Sequence, residues 1–367
     1  MANSKLHQYT PDYAVPPGET LVELLDSLGM SQRDLAMRSG RPVKTINEII
    51  KGKAAITPTT ALQLERILGV PASFWNNLER NYRDALARID ERANLQAQIT
   101  WLKNFPVRAM IRAGWISARK DPVDQLRELL NFFGIASPAQ WKQLWANAQV
   151  AYRKSNIFQS HPMAVAAWLR KGDLEAKRLV CKPYDKNRFL GGLTSIRNLT
   201  VETYPSTFVP RLESLSAAAG VAVVLIQELP GIRISGAARW LSSDKAVIQL
   251  SLRYKTNDHL WFSFFHEAAH VLYDKKGEKF LDEDRKNRKV NDYEENRADR
   301  FAGDFLIPPD VYAAFCKKKD FSRASVESIS TGIGIAPGIV VGRLQHDKVI
   351  PFGTHLNSLK VHYRWAD

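Results

Sequence analysis

The stretch Phe265-His266-Glu267-Ala268-Ala269-His270 contains the pattern H-E-x-x-H and is the most informative part of this chain. On a helix, His266 and His270 lie one turn apart on the same face, so both imidazoles reach one metal ion. Glu267 lies about 100° around the helix from His266, close enough to polarise a metal-bound water without itself being a ligand. The pattern therefore predicts a metal-dependent hydrolase site on a helix. A pair of hydrogen-bonded core histidines is the alternative.

A catalytic zinc ion needs a third protein ligand and an open fourth position for water. Glu295 is the best candidate for that ligand, because it lies on a second predicted helix downstream. Asp299 follows one turn later and is placed to accept the second ring N–H of a zinc histidine. The predicted centre is therefore Zn²⁺ held by His266, His270 and Glu295, with Glu267 as the catalytic base. A structural or sensory zinc site is the alternative, although a closed site normally has four protein ligands.

Three apolar segments precede this helix, at Val221 to Leu229, Ile232 to Leu241 and Ala246 to Leu252. They predict a small antiparallel sheet that leads directly into the H-E-x-x-H helix. In the third segment apolar residues alternate with Gln249 and Ser251, which predicts one buried and one exposed face. If this strand is the sheet edge nearest the metal, its free backbone groups can hold an extended peptide beside the zinc.

The N-terminal segment predicts a helix-turn-helix. Ser31 is placed to cap a short second helix that Gly40 ends, and small Ala36 allows the close helix crossing of this motif. In this interpretation the third helix enters the major groove of double-stranded DNA, and residues near the turn contact phosphates. The predicted DNA-binding residues are Gln32, Arg41, Lys44, Thr45, Asn47, Glu48 and Lys51. A four-helix module that binds only protein is the alternative.

The composition agrees with a DNA-binding protein that buries substantial cores. The chain has 367 residues, 45% of them hydrophobic, and its formal net charge of +14 favours a polyanionic partner. Two cysteines, Cys181 and Cys316, make no disulfide framework and indicate a reducing compartment. Met1 to Thr20 is polar, and no apolar run reaches the roughly 18 residues of a membrane helix. We expect a cytoplasmic, nucleoid-associated protein with no membrane partner.

The order of these segments predicts an α+β protein with three parts. Residues 1–80 form an all-α helix-turn-helix bundle, and residues 81–215 form a helical linker region. Residues 216–367 form a zincin-like domain that contains the small sheet and the H-E-x-x-H helix.

A longer pattern extends beyond the H-E-x-x-H helix. After His266-Glu267 the chain has Glu295, Ala298, Asp299, Phe301 and Ala302, followed by Leu306-Ile307-Pro308. This order resembles the ImmA/IrrE family of metallopeptidases, which use H-E-x-x-H and then E-x-x-A-[ND]-x-F-A before a proline. The resemblance implies that His266, His270 and Glu295 bind zinc and that Glu267 is the base. Ala269 departs from the glycine of many members, but alanine suits a helix better, so only a tight packing contact is in doubt.

The N-terminal unit carries a second resemblance. Pro17-Gly18-Glu19, the run Ile46 to Lys53, and Phe74-Trp75-Asn76-Asn77-Leu78 are similar to the Cro/C1-type (XRE) helix-turn-helix, especially that of HigA-type antitoxins. Together the resemblances imply a homodimeric regulator that binds its operator DNA and cleaves a partner repressor or antitoxin. The alternative is a HigA-type antitoxin or repressor, the partner of a cognate toxin, whose zinc module is structural or sensory.

Overall fold

The computed structural model describes residues 13–142, 161–274 and 288–365. The chain divides into two compact units, Met1–Ile99 and Thr100–Asp367. The predicted domain boundaries at residues 80 and 215 stay predictions. Within the described ranges, no single helix is long and apolar enough to span a membrane; Arg323–Ile333 and Pro337–His346 pass such a test only as a pair bent by 112°.

The described part of the first unit is entirely helical. Its helices are α1 (Pro17–Ser27), α2 (Gln32–Ser39), α3 (Val43–Ile50), α4 (Pro58–Leu68) and α5 (Ala72–Gln96). Their apolar faces share one core, in which Leu35, Ile46 and Trp75 are almost completely buried. This shared core stabilises helices as short as α2 and α3, which would be marginal in isolation.

Local capping defines both ends of α2. Ser31 Oγ accepts a hydrogen bond from the backbone N–H of Asp34, and the Asp34 carboxylate accepts one from the N–H of Ser31. Gly40 ends α2 at a φ of 66°, a left-handed conformation that glycine adopts without steric cost. The predicted cap and turn are confirmed.

The second unit combines helices with a small sheet, which confirms the predicted α+β class. Its described helices are α6 (Val107–Arg112), α7 (Pro122–Phe133), α8 (Pro162–Arg178), α9 (Lys186–Asn198), α10 (Pro205–Ala217), α11 (Asn257–Tyr273), α12 (Arg288–Leu306), α13 (Pro309–Lys318), α14 (Arg323–Ile333) and α15 (Pro337–His346). The strands are β1 (Val221–Leu225), β2 (Gly236–Ser242) and β3 (Lys245–Leu250). Short 3₁₀ segments occupy Ile99–Asn104, Leu199–Val201 and His355–Leu359.

The sheet is mixed, so the prediction of an antiparallel sheet was wrong in this detail. The strand order is β1-β3-β2, with β3 parallel to β1 and antiparallel to β2. β3 is therefore the central strand, so the possibility that it forms the sheet edge is ruled out. The sequence also predicted an exposed face on β3, and this was wrong because Gln249 is not solvent-facing. Its amide is buried instead, since it accepts a hydrogen bond from Arg239 Nη2 at 2.7 Å and donates one to the carbonyl of Trp168 at 2.8 Å.

Both faces of the sheet are covered. On one face, Val223 and Ile248 share a core with Trp261 of α11. On the other face, Val247 packs in a second core with Trp168 of α8, whose indole N–H donates to a backbone carbonyl just after β1 at 3.0 Å. Strands buried on both faces read as continuous apolar runs, which is what β1 shows. The helices that precede the sheet therefore form part of the core that supports it.

The C-terminal segment packs against the start of α11. Lys360 Nζ forms an ion pair with Asp258 Oδ2 at 2.6 Å, and the two side chains are only 10% and 6% exposed. Lys360 also donates to Gln345 Oε1 at 2.7 Å, so the buried ammonium has two partners. A side chain at Gly342 of α15 would collide with Asp258, so this helix lies directly against α11. The ion pair thus fixes the helix that carries H-E-x-x-H.

Lys360→Met should lower the free energy of unfolding by about 3–5 kcal/mol, because it leaves Asp258 buried without its counter-charge. Urea unfolding followed by circular dichroism measures this change. Asp258→Asn combined with Lys360→Met removes both charges and should recover most of the lost stability. Equal losses in the single and double variants would contradict the role given to the ion pair.

Candidate metal centre and helix-turn-helix surface

Three potential metal ligands converge between α11 and α12. His266 Nε2 lies 3.1 Å from His270 Nε2, and the Glu295 carboxylate lies 3.3 Å from the first nitrogen and 3.7 Å from the second. Ligand atoms around a tetrahedral zinc ion at about 2.0–2.1 Å are about 3.3 Å apart, so these separations fit zinc. Two imidazoles and one carboxylate are also a donor set that leaves a fourth position open. The described residues therefore bring the three predicted ligands together.

A carboxylate holds the far nitrogen of each histidine. His266 Nδ1 lies 2.8 Å from Asp299 Oδ1, as the sequence predicted. His270 Nδ1 lies 2.7 Å from Asp274 Oδ2, and Arg297 Nη2 donates to the other oxygen of Asp274 at 2.6 Å. Such contacts fix the ring orientation and direct Nε2 toward a metal ion. Asp274 was not among the predicted site residues, although its position one turn after His270 on the same helix face is a usable signal.

The hydrogen bonds also change the protonation of His266. Burial opposes the charged form of the ring, but hydrogen bonds to Asp299 and Glu295 outweigh burial and raise the pKa of His266 to about 10. The same contact lowers the pKa of Asp299 below its usual value. The two carboxylates therefore favour a proton on the His266 ring when no metal ion is bound. A metal ion has to displace that proton, so higher pH favours metal binding.

Glu267 lies next to the predicted ligands without joining them. It is 8% exposed and packs against the first residue of β2. A Cβ at Gly236 would lie 2.7 Å from Glu267 Cγ and 2.8 Å from Glu267 Oε1, so only glycine allows this approach without displacement. The strand β2 therefore runs directly past the predicted base, a contact that the sequence did not reveal.

The helix α11 is held in place on its other sides by aromatic packing. Trp261, Phe264 and Phe265 are completely buried in the core that also contains the sheet. Phe265 stacks on Phe305 of α12, with the ring centroids 5.1 Å apart. The same packing therefore fixes the separation of the two helices that carry the predicted ligands.

The predicted DNA-binding residues lie on or beside α2 and α3, on the side away from the core. All are exposed or partly exposed: Gln32, Arg41, Lys44, Thr45, Asn47, Glu48 and Lys51. Lys44 Nζ lies 3.9 Å from Glu48, and both side chains remain accessible. Arg41 Nε donates to Gln63 Oε1 at 2.7 Å, so its guanidinium already has a partner on α4. The DNA contacts themselves stay predictions.

The positive charge is unevenly distributed. Met1–Ile99 contains twelve Lys and Arg residues against eleven Asp and Glu residues, although the whole chain has a net charge of +14. Nearly all of the surplus therefore lies in Thr100–Asp367. The overall charge consequently does not identify the helix-turn-helix as the basic surface. The case for DNA binding there rests on the motif itself.

Comparisons with known proteins match both units. A helix-turn-helix family profile matches residues 21–75, and the profile of the IrrE N-terminal-like domain, an M78 peptidase family, matches residues 223–322. The HTH-type transcriptional regulator YddM of Escherichia coli (strain K12) is 35% identical over 63 residues, which are 17% of this chain and 67% of the relative. Virulence-associated protein I of Dichelobacter nodosus is 36% identical over 81 residues, which are 22% of this chain and 75% of the relative. A solved structure of a HigA-family addiction module antidote protein from Coxiella burnetii is 32% identical, with a TM-score of 0.22, and the match covers 23% of this chain and 92% of that chain.

The chain belongs to the helix-turn-helix family and carries an IrrE N-terminal-like domain. Both family resemblances predicted from the sequence are thereby confirmed. The IrrE-like match begins within β1 and ends before α14, so it includes the H-E-x-x-H helix and Glu295. The ion pair between Asp258 and Lys360 joins this matched region to the C-terminal segment outside it.

Asp274→Asn should weaken zinc binding by the IrrE-like domain about 10–100-fold, because an amide holds the His270 ring less strongly than a carboxylate. Competition with a chromophoric chelator measures the zinc affinity. Asp310→Asn, at an exposed position on α13, is the matched control and should leave the affinity unchanged. If the two variants bind zinc equally well, Asp274 does not support the metal site.

Proposed function

We propose that this chain is a DNA-binding regulator whose IrrE-like domain is a zinc-dependent endopeptidase. The observation that carries the proposal is the convergence of His266, His270 and Glu295, with Glu267 beside them but not among them. Three protein ligands leave a position for water, as in catalytic zinc sites, whereas structural sites are closed by four. When bound, zinc would polarise the scissile carbonyl and lower the pKa of water toward about 7.

Glu267 is the proposed general base. It takes a proton from the attacking water and passes it to the leaving amine of the cleaved peptide. Its position supports this role, because it follows a proposed ligand on α11 and is only 8% exposed. Asp299 and Asp274 act on the two imidazoles, since their hydrogen bonds to Nδ1 keep each Nε2 directed at the ligand site.

The outer edge of β2 is the proposed position for the substrate. β2 pairs with β3 along one edge, and no other strand among the described residues pairs with it. Because β2 begins at Gly236, beside Glu267, a peptide added to this edge would lie next to the base. Backbone hydrogen bonds would hold that peptide in an extended conformation. This retains the edge-strand hypothesis but replaces β3 with β2.

The proposed target is a partner repressor or antitoxin protein. The helix-turn-helix match supports this proposal about the target. A homodimeric regulator that cleaves such a partner would couple proteolysis to transcription at its operator. The same match favours a second candidate function. In that case the chain is an antitoxin or repressor that binds a cognate toxin, and its zinc module is structural or sensory.

Glu267→Gln should abolish proteolysis while leaving zinc content and fold unchanged. The amide has nearly the same size as the carboxylate but cannot accept the proton, and general-base catalysis contributes about 10²–10⁴-fold. The measurement is cleavage of co-expressed candidate partner proteins, followed by immunoblotting, together with derepression of the operator. Zinc analysis and circular dichroism of the same variant establish that only the base is lost.

Glu327→Gln is the matched control, because Glu327 is an exposed glutamate on α14 that pairs with Arg323. It should cleave the partner as well as wild type does. Partner cleavage by Glu267→Gln at the wild-type rate would eliminate the proposed base. Identical derepression with no cleavage in any strain would favour the non-proteolytic candidate.

Asn47→Ala should relax operator specificity at one base position, at a cost of about 1–3 kcal/mol in binding free energy. The reason is that Asn47 lies partly exposed on α3, the helix proposed to enter the major groove. Gel-shift titration against an operator with each base changed in turn measures the effect. The two half-sites of a homodimer are expected about 34 Å apart.

Arg66→Ala is the control for this experiment, since Arg66 is exposed on α4. It should keep the specificity profile of the wild type. An unchanged profile for Asn47→Ala would remove this residue from the proposed DNA contacts.

A further inference from the structure

A cavity lies on the side of α12 opposite to Glu295. It is a depression that is largely open to solvent, and its volume is about 410 Å³. It is lined by Tyr273, Arg297, Arg300, Phe301, Asp304 and Phe305. At about 100° per residue, Arg297 and Asp304 lie roughly half a turn around the helix from Glu295 and Asp299. The cavity is therefore distinct from the metal-facing side of α12.

The apolar part of the lining consists of aromatic rings. Tyr273 and Phe301 meet edge to face, with centroids 5.6 Å apart, and Phe301 stacks on Phe305 with centroids 5.4 Å apart. These rings come from the end of α11 and from α12. Stacked and edge-on faces of this kind accept a further aromatic ring. The cavity is thus suited to a flat apolar group.

Among the residues that the structure describes, cations outnumber anions around this cavity. The guanidinium of Arg297 lies 5.4 Å from the Tyr273 ring centroid, and Lys186 Nζ lies 5.1 Å from the same centroid. Arg300 is exposed and has no ion pair within the described residues. Asp304 is the acidic residue of the lining. An arginine guanidinium binds a carboxylate through two parallel hydrogen bonds. A ligand with one carboxylate would therefore compensate for the excess positive charge.

The cavity is also connected to a proposed metal ligand. Arg297 lines the cavity and donates to Asp274 Oδ1 at 2.6 Å, while Asp274 Oδ2 lies 2.7 Å from His270 Nδ1. An anion that draws Arg297 into the cavity removes a partner of Asp274. The Asp274 carboxylate then holds the His270 ring less firmly, and the metal is bound less tightly.

We propose that this cavity is an effector site for a small aromatic carboxylate, and that its occupancy weakens zinc binding through Arg297 and Asp274. The two sites then share one coupling free energy. Bound zinc must therefore weaken effector binding by the same factor by which bound effector weakens zinc binding. The inference requires the metal centre but does not depend on peptidase activity, so it can fail or succeed independently of the proposed proteolysis.

The test uses the full chain and 3-phenylpropanoate as the probe, with 3-phenylpropanamide as its uncharged analogue and acetate as the anion without a ring. Isothermal titration calorimetry should detect binding of 3-phenylpropanoate but not of the other two. Arg300→Gln should weaken this binding about tenfold, since a charge-assisted hydrogen bond is lost. Arg108→Gln, an exposed arginine on α6, is the matched control and should bind the probe normally.

Chelator competition provides the second measurement. Saturating 3-phenylpropanoate should lower the zinc affinity of the wild type about tenfold, and Asp274→Asn should abolish this difference because the connecting carboxylate is gone. Absence of binding at millimolar probe, equal binding of the amide or of acetate, or normal binding by Arg300→Gln would each overturn the effector site. A zinc affinity that is the same with and without bound probe would overturn the coupling.

Discussion

The close approach of two imidazole nitrogens is the constraint on which the second unit depends. His266 Nε2 and His270 Nε2 lie 3.1 Å apart. Each Nδ1 faces a carboxylate and therefore carries a hydrogen, so both Nε2 atoms present a lone pair, and these repel each other unless a proton or a metal ion lies between them. A proton on the His266 ring meets this requirement, and the neighbouring carboxylates favour it by raising the pKa of that ring. A zinc ion bound by both nitrogens would meet the same requirement. Glu295, Asp299 and Asp274 supply the negative charge that stabilises either cation.

Features that depend on local spacing could be predicted from the sequence. His266, His270, Glu295 and Asp299 were found because a turn of helix places residues four apart on one face. The caps and turn of the helix-turn-helix are equally local, since Ser31 and Gly40 act within a few residues of their own positions. The structure accordingly brings these groups together where the sequence indicated.

Features that depend on pairing between distant segments could not be predicted in the same way. Gln249 looks like an exposed strand residue until Arg239 and Trp168 are known to bury it, so one face of β3 was wrongly expected to be exposed. The central position of β3 depends on its pairing with both β1 and β2. The contact of Glu267 with Gly236 likewise depends on where β2 crosses α11. The net charge does not identify the DNA-binding unit for a similar reason, because a single sum hides the near neutrality of Met1–Ile99.

Arg239, which binds the buried Gln249 amide, also helps to position the proposed site. Arg239 belongs to β2, and its guanidinium donates to Asp173 at 2.7 Å and to the Leu169 carbonyl at 2.9 Å, both on α8. These bonds fix β2 against α8, and β2 in turn lies against Glu267. Because a buried guanidinium without partners is costly, the register of β2 cannot slip without breaking this network. The position of the proposed base therefore depends on a helix nearly one hundred residues earlier in the chain, so α8 helps to position the proposed site.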